Sequence, residues 1–176
     1  MKISLLFILL TTICYSQTDS LLVRKIDRKV HAIDKNKEVV IAEYIVTMDT
    51  TLAKMEVYKN KIVVNSLFNE SKSVLKATFY YDTDSLLLLR FSERSPEVLF
   101  DVASNITDFY YNCGERIHEA YYWQLPSNAY CFPFPVGDEG RAYFGYNDMF
   151  TEDFYDRYAK VLLDKIKLYT KNKKHE

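Results

Sequence analysis

The residues of this chain that could do chemistry are three histidines, three cysteines and a spread of carboxylates, and each reaction asks for particular spacings among them. His31, His118 and His175 fall on what reads as a helix, a strand and a tail. No H-x-x-x-H or H-E-x-x-H spacing joins them, so neither a zinc site nor a paired histidine base is announced. No G-x-S-x-G, P-loop or G-x-G-x-x-G run occurs, and four glycines leave little backbone for a phosphate cradle. Asp82-Thr83-Asp84-Ser85 begins like a calcium loop but lacks the third acidic ligand, the glycine and the distal glutamate. A hairpin turn accounts for it better. No catalytic residue, cofactor or metal is therefore expected. The enzymatic alternative is a hydrolase drawing its acid and base from separated carboxylates such as Asp82, Asp84, Glu115 or Glu119. That alternative needs two carboxyls about 5–9.5 Å apart in a cleft.

The aromatic content points to binding instead. Fifteen Tyr, eleven Phe and one Trp make up 15% of the residues. Most suit a pleated, half-buried surface and fill a core. Tyr121-Tyr122-Trp123, read as a strand, must point alternately to both faces of a sheet. Tyr130, Phe132 and Phe134 sit in a segment stiffened by Pro133 and Pro135. A rigid loop that shows aromatic groups loses little entropy on binding. The candidate binding residues are Tyr121, Trp123, Tyr130, Phe132 and Phe134. The expected partner is a protein or an envelope polymer. Cys113 and Cys131 are expected to form a disulfide tethering this loop, closing about nineteen residues for roughly 3 kcal/mol in the chain-entropy treatment.

The elements that must position these residues follow from periodicity. Leu22, Ile26, Val30 and Ile33 recur at helical spacing with charged residues between them, which predicts a helix near 19–34 capped by Thr18 or Asp19. Strands follow over Val39–Met48, Ala53–Tyr58, Ile62–Phe68, Val74–Tyr81 and Leu86–Phe91, joined by tight polar turns. Ser95-Pro96-Glu97 reads as the start of a short helical turn reaching Ala103. Ile106–Tyr111 and Arg116–Trp123 then flank a further hairpin turn, Asn112-Cys113-Gly114-Glu115. Residues 124–140 form one long irregular segment. A final helix starts near Thr151, with Phe154, Tyr158, Val161, Leu162, Ile166 and Tyr169 along one side and lysines crowding its C-terminal end. The fold class is α+β, an antiparallel β-meander of six to seven strands with N-terminal and C-terminal helices packed on it.

An internal echo supports the meander. Phe79-Tyr80-Tyr81-Asp82 recurs as Phe109-Tyr110-Tyr111-Asn112, and each copy precedes a turn and another strand. The glycines and constant period of a MORN-type array are missing, so recurring hairpin grammar explains the echo.

The N-terminus has the parts of a secretory signal: Lys2, the apolar run Ile3–Leu10, and small residues at Cys14 and Ser16. Residues 1–16 are expected to be a signal peptide and 17–176 a single globular domain, periplasmic or extracellular. Acylation at Cys14 is the minor alternative. The apolar run is shorter than the ~20 residues that span a bilayer, so no transmembrane segment is expected in the mature chain. A formal charge of −1 provides no broad field for nucleic acid. Together these features predict an exported, non-catalytic binding or accessory protein of the cell envelope.

Overall fold

The computed structural model describes residues 20–48, 51–69, 72–94, 104–124, 131–133, 150 and 152–172. Helix α1 spans 20–35. Its apolar residues Ile26, Val30 and Ile33 are buried, and Leu22 and Val23 pack beside them. The chain leaves the helix at Asn36, whose amide still reaches back to the Ala32 and Ile33 carbonyls.

The strands are β1 (Ala42–Met48), β2 (Thr51–Val57), β3 (Lys61–Phe68) and β4 (Ser73–Asp82). β5 (Ser85–Arg94), β6 (Ser104–Asn112), β7 (Glu115–Gln124) and β8 (Cys131–Pro133) complete the sheet. Their order in space is their order in sequence, and every neighbouring pair is antiparallel. Seven long strands thus form the expected meander. β8 lies within the segment read as irregular. It is a three-residue edge strand ending in proline, a residue that tolerates an edge because it has no amide to donate. The expected turn over residues 95–103 and the expected cap at Thr151 lie outside the described residues.

Side chains alternate between two cores. Phe79, Leu89, Phe91 and Phe109 belong to one, while Tyr80, Leu88 and Tyr110 belong to the other. The first core is closed by helix α2 (Glu152–Asn172), through Tyr155, Tyr158, Ala159, Leu162 and Ile166. The second is closed by α1. Each helix therefore covers its own face of the sheet. Burying a side chain of leucine or phenylalanine size stabilises by about 1.5–3 kcal/mol, so both helices are held mainly by their apolar stripes. Among the described residues no helix is long and apolar enough to cross a membrane.

The two copies of Phe-Tyr-Tyr build one hairpin design twice. In each, the Phe enters the α2 core and the first Tyr the α1 core. In each, the register shifts between the two tyrosines, at Tyr80/Tyr81 and at Tyr110/Tyr111. In each, a two-residue turn opens at positive φ, 59° at Thr83 and 51° at Cys113. Gly114 follows at 88°, a conformation that costs glycine little.

This geometry corrects the expected disulfide. Cys113 occupies the β6–β7 turn, and Cys131 pairs with Gln124 at the far end of β7. The ten residues of β7 hold the two cysteines roughly 30 Å apart at ~3.3 Å per residue. A bridge needs Cα atoms within about 7 Å. Cys113 is a free, exposed thiol.

Candidate functional site

Strands β5, β6 and β7 carry charged and phenolic side chains into the α1 side of the sheet. Arg90 stands directly opposite Asp108, and Asp108 opposite Ala120. The register makes the ion pair bidentate. Arg90 Nε donates to Asp108 Oδ1 at 2.8 Å, and Nη2 donates to Oδ2 at 2.7 Å. The Tyr122 hydroxyl donates to the same Oδ2 at 3.0 Å. Asp108 is 1% exposed, whereas the Arg90 side chain remains 26% exposed. The guanidinium is thus fixed from below and open from above.

Helix α1 supplies the other wall. Asp27 and Asp34, two helical turns apart, flank its apolar stripe. Tyr110 donates its hydroxyl to Asp27 Oδ1 at 2.9 Å, and Tyr80 donates to Asp34 Oδ2 at 3.0 Å. The Arg90 guanidinium lies over the Tyr80 ring at 5.9 Å. Lys29 pairs with Asp82 across the same seam, and Lys61 with Asp34. Above the Arg90–Asp108 pair a depression of about 360 Å³ opens between Asp27, Tyr110, Ala120 and Tyr122.

Burial sets the electrostatics. It pushes the Asp108 carboxyl up from the ordinary carboxylate value, against the pull of Arg90 and Tyr122. Burial works to lower Arg90, but the hydrogen bonds and charge of Asp108 outweigh it and hold the guanidinium above its usual value. Burial likewise raises Tyr80, Tyr110 and Tyr122 well above an ordinary phenol, with the neighbouring carboxylates adding to it. The depression therefore presents the Arg90 cation beside the Asp27 and Asp108 carboxyl groups and several neutral phenols. Asp108 accepts three hydrogen bonds and holds Arg90 in place, so it is ill suited to take a proton from a substrate. The arrangement can dock a hydroxyl or amide against an aromatic wall.

The residues singled out from the sequence are distributed differently. Tyr121 stands opposite Thr107, on the α2 side by register, and its hydroxyl donates to Glu119 Oε2 at 2.7 Å, yet it also borders the depression beside Tyr122. Trp123 pairs with Phe132 across β7 and β8. Tyr130 and Phe134 lie outside the described residues. Two of the carboxylates offered for hydrolysis, Asp82 and Glu119, face opposite sides of the sheet. Asp82 is tied to Lys29 of α1, whereas Glu119 bonds Arg116 at 3.0 Å on the other face. Asp84 occupies the β4–β5 turn and Glu115 begins β7. Among the described residues no three His, Cys, Asp or Glu side chains converge as metal ligands. His31 is exposed on α1, and the His118 ring lies 5.5 Å from that of Tyr110.

Sequence reasoning missed Arg90, Asp108 and Tyr122. A signal was present: Arg90 and Asp108 each interrupt an apolar strand, in Leu88-Leu89-Arg90-Phe91 and Ile106-Thr107-Asp108-Phe109. A charge inside such a run must be paired to be buried. A second buried polar group lies on the α2 side, where Tyr155 donates to Glu93 Oε2 at 3.0 Å and Asn105 Nδ2 approaches the same oxygen at 3.5 Å.

No family model, curated protein or solved structure matches this chain.

Proposed function

We propose that this chain is an exported, non-catalytic binding or accessory protein of the cell envelope, which holds a protein or polymer partner against the tyrosine-lined α1 side of its sheet. The observation that carries the reading is the Arg90 guanidinium, fixed by Asp108 beneath an open depression walled by Tyr110 and Tyr122. Arginine and tyrosine supply much of the binding energy at interfaces, and groups already held in place lose little entropy when a partner arrives. Export rests on Lys2, the apolar run Ile3–Leu10 and the small residues at Cys14 and Ser16.

The test pairs two measurements on protein from its native host. Intact mass should begin at Gln17, and a mass retaining Met1 contradicts export. Affinity capture from the envelope fraction should return a partner whose retention weakens about tenfold in the rim variants Asp27→Arg and Tyr122→Ser, the cost of losing one strong contact. Capture unchanged in both variants, with the fold intact by circular dichroism, removes the α1 side from the account.

A further inference from the structure

The hydrogen-bonding groups around the Arg90 depression are unequal in kind, and their balance restricts what can sit there. The Arg90 guanidinium gives Nε and Nη2 to Asp108, which leaves Nη1 as a donor for a ligand. Asp27, exposed on α1, takes the Tyr110 hydroxyl on Oδ1 and keeps Oδ2 as an acceptor. The Tyr110 and Tyr122 hydroxyls have their single protons committed, to Asp27 and to Asp108. A phenol whose proton is committed can only accept a further bond. Burial raises both phenols well above their ordinary value, so that polarity holds throughout the neutral range. Acceptors therefore outnumber donors: Asp27 Oδ2 and two phenol oxygens stand against Arg90 Nη1. Asp27, Arg90, Tyr110 and Tyr122 all line the same depression, with Ala120 between them in the wall.

We infer that the ligand of this depression is a neutral, hydroxyl-rich sugar residue, so that the polymer partner is a glycan; this rests on the reading of the α1 side as a binding surface. A sugar hydroxyl both donates and accepts. One hydroxyl accepts from Arg90 Nη1 while its neighbours donate to Asp27 Oδ2 and to the phenol oxygens. The bonds to the guanidinium and the carboxylate are charge-assisted, hence the strong ones. The carbon-bound hydrogens of the sugar ring lie along the tyrosine wall, drawn to the negative faces of the phenol rings. Other ligand classes fit less well. A carboxylate has no proton to donate and meets Asp27, an ammonium brings its charge beside Arg90, and a peptide unit offers one N–H to several acceptors. The volume of about 360 Å³ lies near the lower end of the range of about 300–1,000 Å³ for small-ligand sites, which suits one ring of a chain.

An array of neutral oligosaccharides of hexoses and N-acetylhexosamines, with uronate-bearing and glucosamine-bearing members as charged controls, tests this with the full chain purified from its native host. Binding to neutral members is expected, weaker on both sets of charged controls. The best neutral trisaccharide should then titrate saturably at one site per chain in calorimetry. Asp27→Ala, an exposed change, should weaken it about tenfold through loss of one charge-assisted bond, and Asp27→Asn should recover part of that because its carbonyl still accepts. Ala120→Phe, with the fold checked by circular dichroism, should block the depression. The glycan is overturned if no neutral member binds, if the uronate controls bind equally well, or if Asp27→Ala and Ala120→Phe bind as the parent does. Envelope capture that still weakens in Asp27→Arg while no glycan binds would remove the sugar and leave the α1-side reading standing.

Discussion

At the residue scale the account turns on Arg90 and Asp108. A buried ion pair is a poor source of net stability, because desolvation offsets most of the attraction. Breaking it is another matter, since one charge is left buried without its partner. Asp108→Ala is expected to destabilise the fold by about 3–5 kcal/mol in urea denaturation. The double variant Arg90→Met with Asp108→Leu should cost much less than the sum of the two single changes, because both charges leave together. A double variant as damaging as that sum would show that the pair is not the unit described here. A pair that adds little stability yet leaves its cation open to solvent is consistent with the proposed role of Arg90 in binding.

At the element scale the two helices do different work. α2 closes an aromatic core in which the Phe91 and Tyr155 rings lie 4.7 Å apart and the Tyr158 hydroxyl donates to Ser66 at 2.6 Å. Leu162 is fully buried against that core, while Leu168, less than two turns on, is exposed. Leu162→Ala should therefore cost about 2–5 kcal/mol by thermal or chemical melting, and Leu168→Ala close to nothing. Equal costs would mean that α2 presents another face. α1 carries a smaller apolar stripe bordered by Asp27 and Asp34, so it serves both as cover and as one wall of the depression. Both helices and seven strands were legible from periodicity, since the apolar spacing of Ile26, Val30 and Ile33 and the turns at Asn60, Asp82 and Asn112 declare themselves locally. β8 was not, because three residues ending in Pro133 carry no alternation to read. The assignment of one helix to each face was also hidden. It depends on which tyrosine of each Tyr-Tyr pair points which way, and the alternation along β4 and β6 sends Tyr80 and Tyr110 to the α1 side and Tyr81 and Tyr111 to the α2 side.

At the scale of the whole molecule, phenols distinguish this chain. Burial pushes Tyr81 and Tyr158 up to about 12, and Tyr80, Tyr110 and Tyr122 higher still, from an ordinary value of 10.0. A group whose folded value is raised favours the fold fully below its unfolded value and loses that contribution as the pH climbs. The chain should therefore hold its stability up to about pH 10 and lose it steeply between 10 and about 12. The tyrosinate absorbance of these buried rings should appear together with loss of the circular dichroism of the sheet. Full ionisation of all fifteen tyrosines with the fold intact would contradict the burial described. The site itself was only half legible. Aromatic richness motivated the proposed binding surface, and of the residues named from it Tyr121 borders the depression. The paired strands add Tyr122, with Arg90 and Asp108, on the α1 side. The disulfide failed for the same reason: nearness in sequence said nothing of the length of β7 lying between Cys113 and Cys131.

The central claim is that the α1 side meets a partner. The most direct test places a photo-activated cross-linking side chain at Arg24, exposed one turn from Asp27, and a control at Leu168 on the opposite helix, each in the full chain in its native envelope. The account predicts a discrete cross-linked species from position 24 that is lost when Asp27→Arg is added, and none of the same mass from position 168. No species from position 24, or the same species from both positions, would contradict it.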